Sequence, residues 1–311
     1  MEPAPLYENA AGGPAGGQAV WLRTTDGLRI RAGIWRGGDK GTVLLFPGRT
    51  EYIEKYGPAA IDLGDRGFSV VAIDWRGQGL ADRPGKHQLI GHIHWFQDYQ
   101  KDVDAVVKLA RAEGLPEPFF LMSHSMGGCI GLRALHNGLP VRAAVFSAPM
   151  WGLAMPIHLR PLAWMVTTLA RHGGLGGNFA LTQGPDSYVL TAPFEGNTLT
   201  SDPEMFAFMK RQLQAHPEFA LGGPSQRWLN EALHEMRRLR ALPAPSLPAQ
   251  TWLGTNERIV CPQSIRKVMA KWKNGELRIV EGAEHEIPME IPSTRKDFFD
   301  AAAALFESHS A

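Results

Sequence analysis

Phe119-Phe120-Leu121-Met122-Ser123-His124-Ser125-Met126-Gly127-Gly128 is the stretch whose reading decides the fold. Its first four residues are apolar without alternation, the pattern of a strand buried on both faces. A glycine-rich helix start follows, and the helical pattern runs to Asn137 with Gly138 as its stop. A turn this tight lifts the hydroxyl of Ser125 clear of the backbone. Positions two before and two after must be small, because strand and helix pass close to one another there. Gly127 meets that need, and Ser123 stands where glycine is usual but is still small. The N–H of Met126, at the start of the helix, can point at a developing oxyanion. His124 is adjacent on the turn and points away from its neighbour, so it reads as a packing or hydrogen-bonding residue.

Outward from this turn, strands and helices alternate with little spare chain. Ala19–Arg23 and Leu28–Trp35 read as strands around the turn signal Asp26-Gly27. Thr42–Phe46 and Phe68–Ile73 are buried strands, with a helical stretch between them to about Asp65. Phe96, Tyr99, Val103 and Val106 fall at helix spacing in His94–Ala112, and Val141–Phe146 is a fourth buried strand. After Pro149 the rhythm is lost. Helical stripes follow, with Asp202-Pro203-Glu204 as a helix start. From Gln250 the rhythm returns, ending in a strand at Leu277–Val280 and a helix through Phe298, Ala302 and Leu305. The expected class is α/β: a mostly parallel, doubly wound sheet with a helical cap inserted after the fourth parallel strand. The expected division is a flexible arm over 1–18, a core over 19–148 and 248–311, and a cap over 149–247.

Composition narrows the partners. The 32 Lys and Arg nearly balance 31 Asp and Glu, so nothing attracts nucleic acid. Cys129 and Cys261 are the only cysteines, which excludes a disulfide framework or a cysteine metal cluster and fits a reducing, cytoplasmic setting. Met1 to Gln18 lacks the pattern of a signal peptide. Leu159 to Ala170, the most apolar stretch, is too short to span a bilayer.

A serine nucleophile needs a general base, and the base needs an orienting acid. On a strand–turn–helix of this kind the chain order is serine, acid, histidine. His285, in Gly282-Ala283-Glu284-His285-Glu286 after the last strand, is the base candidate. Glu257 is the only carboxylate in Leu253–Val260, the loop after the preceding strand, and is the acid candidate.

These residues resemble the monoacylglycerol lipase and lysophospholipase branch of the α/β-hydrolases, also called serine aminopeptidase-type hydrolases. The resemblance runs from about Gln18 to about Phe306. It rests on Phe46–Glu51, Asp74-Trp75-Arg76-Gly77-Gln78-Gly79, the Ser125 turn, Gly254–Val260 and Gly282–Glu286. It implies an esterase acting through an acyl-enzyme on Ser125, with no cofactor and no metal. It also implies a second oxyanion N–H from Arg49, although Pro47 and Thr50 replace the His and second Gly of the family's His-Gly-x-Gly turn. The Arg49 side chain either reads an anionic head group or pairs with Glu51 or Asp82. Asp74–Gly79 is implied to be bracing. The family usually has Asp where this chain has Glu257. The cap is implied to hold an acyl chain, with Trp151, Met155 and Phe206 as candidate contacts, and to touch a membrane surface peripherally. The substrate is thus an ester or lipid, and the sequence leaves the oligomeric state open. A carboxylesterase, amidase, lactonase or carbon–carbon hydrolase would share the triad, and a non-catalytic binding protein could share the fold. A haloalkane dehalogenase would need Asp at position 125.

Overall fold

The computed structural model describes residues 2–310. Nine strands form one sheet in the order β1-β2-β3-β5-β4-β6-β7-β8-β9. They are β1 (Glu2–Ala4), β2 (Gln18–Arg23), β3 (Arg29–Trp35), β4 (Thr42–Phe46), β5 (Ser69–Asp74), β6 (Phe119–His124), β7 (Ala144–Ser147), β8 (Ala249–Gly254) and β9 (Gly275–Val280). From β5 to β9 every pairing is parallel, and β1, β2 and β3 add an antiparallel edge. This is the α/β-hydrolase architecture. Every residue of β4, β5, β6 and β7 is buried, as their unalternating sequences require.

Successive strand residues feed two cores, one on each face of the sheet. Leu44, Phe46, Val71, Ile73, Leu121 and Phe146 pack on one face with helices Tyr99–Ala112 and Met126–His136. Val43, Leu45, Val70, Ala72, Phe120 and Val145 pack on the other with helices Gly57–Gly64 and Pro292–Glu307.

The expected flexible arm is a docked element instead. Glu2–Ala4 pairs with β2, Ala11 is buried, and the Pro5 carbonyl accepts from Arg31 Nη1 at 2.8 Å. A Gly, Ala and Pro composition hides this because backbone groups, not side chains, make the pairing. Arg31 is fully buried and also binds Glu54 and Asp74 at 2.7 Å.

The insertion between β7 and β8 contains the helices Arg160–His172, Tyr188–Thr191, Pro203–Ala215 and Gln226–Ala241. Asp202 caps the third through the N–H groups of Glu204 and Met205. The last helix packs Trp228, Ala232, Met236 and Leu239 into the sheet's own core. The stretch that stands apart from that core is therefore shorter than 149–247. No helix of the described residues is long and apolar enough to cross a membrane.

Candidate active site

Ser125 sits at φ 49° and ψ −116°, a sparsely populated backbone conformation held by its surroundings. Its N–H donates to the Ser147 carbonyl at 3.1 Å, and its carbonyl accepts from Gly128 at 2.9 Å and Met150 at 2.8 Å. Gly127 has no room for a side chain, since a Cβ would be driven into the carbonyls of Phe46 and Pro47. Gly127→Ala is expected to abolish soluble expression or displace the turn, read as a loss of both melting temperature and activity.

The three sequence candidates converge at one end of the parallel strands. His285 Nδ1 donates to Glu257 Oε2 at 2.6 Å. The other carboxylate oxygen, Oε1, accepts from Ile259 N–H at 2.6 Å and Val260 N–H at 2.9 Å, which fixes the carboxylate's plane. Arg258 turns away to Glu284 at 3.0 Å, so Glu257 is free for the histidine. Gly254 lets the acid loop lie against the base loop, because a Cβ there would meet the carbonyls of Ala283 and Glu284. Ser125 and His285 line the same cavity of about 300 Å³, and their side chains make no hydrogen bond to each other. Catalytic contacts of this kind commonly tighten only around substrate.

Arg49 and Met126 contribute backbone N–H groups with no acceptor among the described residues. Several contacts shape the Arg49 loop. Trp75 Nε1 donates to the Pro47 carbonyl at 2.9 Å, and Gln78 Nε2 donates to the carbonyls of Gly48 at 2.7 Å and Glu51 at 3.0 Å. The Asp74–Gly79 loop thus braces the Arg49 loop. Thr50 adopts φ 66°, the left-handed conformation that glycine takes without strain. The Arg49 side chain pairs with neither Glu51 nor Asp82. Its Nη1 donates to the Gly222 carbonyl at 2.8 Å and the guanidinium lies 5.8 Å from the Trp228 ring centroid, tying this loop to the insertion. Burial pushes its pKa down to about 10.

The substrate-contact candidates from the insertion are not brought to Ser125. Trp151 is fully buried between Phe146 and Trp272 and donates Nε1 to the Gly128 carbonyl at 3.1 Å, making it a core residue. Met155 lines a different cavity. Phe206 packs with Leu199 and Met209 behind the wall. The apolar wall of the Ser125 cavity is instead Val189, Leu199, Met209, Leu213 and Ile259. Helix periodicity identifies apolar faces but cannot say which residue of a face reaches the cavity.

One buried charge network was not foreseen. Lys55 Nζ lies 2.7 Å from both Glu51 Oε1 and Glu286 Oε1, and Tyr56 donates to Glu51 at 2.6 Å. Glu51 also accepts from the Gly48 N–H. The network therefore links the Arg49 loop to the loop bearing His285. Its sequence signals are faint: a Glu–Lys pair at i,i+4 and a glutamate next to the histidine. Glu51, His124 and Glu286 could meet a metal ion by spacing, but the Lys55 ammonium already serves both carboxylates as their cation.

The electrostatics follow from these contacts. Burial alone would lower the His285 pKa, but Glu257, Glu286 and Glu51 outweigh it and hold the imidazole more basic than usual. Burial would raise Glu257, and His285 with the two backbone donors holds it below its ordinary value. Burial pushes His124 down to about 3, so that ring stays neutral. It rests 4.6 Å from the His285 ring and 3.2 Å from the Ser147 hydroxyl, a packing position. Because the base must be neutral to accept a proton, the acid limb of kcat/KM should lie above the ordinary histidine value of about 6.5. Glu286→Gln removes one of the raising charges and should move that limb to lower pH. A limb unmoved or moved upward in a pH–rate profile would refute this role for Glu286.

A family profile described as serine aminopeptidase, S33, matches residues 37–292. The chain belongs to this family. The probable lysophospholipase L2 of Haemophilus influenzae is 28% identical over 259 residues, covering 82% of this chain and 80% of that protein. Lysophospholipase L2 of Escherichia coli strain K12 is 26% identical over 281 residues, covering 86% and 81%. Among solved structures, a monoglyceride lipase from Saccharomyces cerevisiae superposes with a TM-score of 0.73 at 22% identity, over 93% of this chain and 95% of that one. That likeness shows the shared α/β-hydrolase fold. This S33-family chain is an ester-hydrolysing serine hydrolase.

Proposed function

We propose that this protein hydrolyses the acyl ester of single-chain glycerolipids, as a lysophospholipase or monoacylglycerol lipase, through an acyl-enzyme on Ser125. The observation that carries the reading is the His285–Glu257 pair at 2.6 Å beside Ser125, in a cavity walled by aliphatic side chains of the insertion. The two lysophospholipase L2 relatives support the lipid class.

His285 takes the Ser125 proton as the hydroxyl oxygen attacks the ester carbonyl. Glu257 holds the Nδ1–H and stabilises the imidazolium. The N–H groups of Arg49 and Met126 receive the oxyanion, each contributing about 3 kcal/mol. His285 returns the proton to the departing alcohol, and water then releases the fatty acid by the same route. Rates on monoacylglycerols, lysophospholipids and short p-nitrophenyl esters test the class. The single-chain lipids should have the highest kcat/KM, and a preference for the short esters would overturn the reading.

A peripheral membrane contact fits the same reading. On helix Arg160–His172, Leu162, Met165 and Leu169 are exposed at helix spacing, with Arg160 and His172 at its two ends. Its partner would be an anionic lipid surface. Flotation with anionic vesicles should carry the protein, and Leu162→Glu with Met165→Glu should leave it at the bottom. Failure of the native chain to float would remove the contact. Cys129 and Cys261 are buried free thiols, which supports a reducing, cytoplasmic setting.

A further inference from the structure

A second cavity, of about 450 Å³, lies away from Ser125, between the start of helix Arg160–His172 and the second half of helix Gln226–Ala241. Its volume falls within the range of about 300–1,000 Å³ common for small-molecule sites. Its lining joins the apolar side chains of Leu153, Met155, Trp164, Leu233 and Met236 to three guanidinium groups, Arg160, Arg237 and Arg240.

None of the three has a carboxylate partner among the described residues. Arg240 Nη1 donates to the Trp151 carbonyl at 2.5 Å, and Arg160 Nε donates to the Met155 carbonyl at 3.2 Å. Arg160 Nη2 also approaches Cys261 Sγ at 3.8 Å. Arg237 lies 5.8 Å from the Trp164 ring centroid. Most of their donors are therefore unused. Arg237 and Arg240 sit in the second half of their helix, where positive charge suits the helix dipole. Arg160 does not share that excuse: it opens its helix, at the positive end. Burial lowers the Arg240 pKa, and the charges of Arg160 and Arg237 lower it further, which marks the crowding of like charge. The carboxylates nearest along helix Gln226–Ala241 are committed elsewhere, Glu231 to Arg171 at 2.5 Å and Glu235 to Arg133 at 2.5 Å.

We infer that this cavity binds a single-chain amphiphile with an oxyanion head, a carboxylate or a phosphate, its chain against the apolar side chains and its head on the arginines. The site does not depend on the hydrolase reading, since it shares no residue with the Ser125 cavity. It does touch the acid loop. Leu153 pairs with Val260, the Ala154 N–H donates to the Ile259 carbonyl at 3.0 Å, and the Cys261 N–H donates to the Gly152 carbonyl at 2.9 Å. An occupant would thus press on the ribbon whose N–H groups hold Glu257.

Calorimetric titration of the intact chain with decanoate, decyl phosphate, decanol and inorganic phosphate tests the inference. Decanoate or decyl phosphate should bind saturably at a class of site that decanol and inorganic phosphate do not fill. Arg160→Gln with Arg237→Gln, both at exposed positions, should weaken that class by about 100-fold, at roughly tenfold per charge-assisted contact. Turnover of p-nitrophenyl butyrate and the melting temperature should stay at native values. Arg237→Glu alone should abolish the same class. Equal binding of decanol would mean that no charge is read, and equal binding of inorganic phosphate that no chain is read. Either result overturns the inference, as does unchanged amphiphile binding in the Arg237→Glu chain.

Discussion

Ser125→Ala should lower kcat by on the order of 10⁴–10⁶ while leaving the chain folded, because in the proposed mechanism this nucleophile and its base act as one unit. The hydroxyl does not cap the helix that Ser125 opens, so its loss costs the turn little. Adding His285→Ala to Ser125→Ala should cost almost nothing more, since without the nucleophile there is no proton for the imidazole to take. A single-turnover assay on a p-nitrophenyl ester reads the burst of alcohol expected from an acyl-enzyme. Ser125→Ala should lack the burst, and a variant that kept it would place the nucleophile elsewhere. The same native burst should disappear after treatment with a fluorophosphonate, with the adduct on Ser125.

The largest effect on stability should come from Lys55→Met. Lys55 is the cation for two buried carboxylates, Glu51 and Glu286, and its removal leaves both without a counter-charge. Breaking a buried ion pair on one side costs about 3–5 kcal/mol. The loss should depend on pH. Without Lys55 the two glutamates should have folded-state pKa values above their unfolded ones. The folded state then binds more protons than the unfolded state, so stability falls as pH rises. Urea unfolding of Lys55→Met should therefore show a larger deficit at pH 8 than at pH 5. An equal deficit at both values would mean that Lys55 matters for packing and not for charge. Activity should fall as well, because Glu51 holds the Gly48 N–H at the base of the Arg49 loop, which the proposed mechanism uses for its oxyanion contact.

Much of this site was legible because its chemistry is tied to the ends of buried strands. Phe119–Met122 could hardly be anything but an interior strand, and the small residues after it left the Ser125 turn as the one way into the next helix. The order of Ser125, Glu257 and His285 follows from the same logic, since each lies just past a strand of the parallel sheet. Glu257 in place of the family's Asp is accommodated without loss of contact, because its second oxygen is anchored on two backbone N–H groups. The apolar residues of the insertion were legible only as faces. Trp151, Met155 and Phe206 are equally greasy in sequence, yet one is core, one lines a separate cavity and one backs the wall.

The sequence alone determined the parallel core of the sheet, the turn at Ser125 and the two residues, Glu257 and His285, expected beside it. The reason is local and periodic: runs without alternation must be buried, glycine must stand where backbones touch, and strand ends fall together in a parallel sheet. Tertiary structure decided the rest. It docked the first residues on β2, aimed the Arg49 side chain at Gly222, placed Lys55 between Glu51 and Glu286, and opened a cavity among three arginines. Those contacts join residues far apart in the chain through long, flexible charged side chains and bare backbone groups. Neither carries a periodic signal, so only the folded chain decides which partner each one finds.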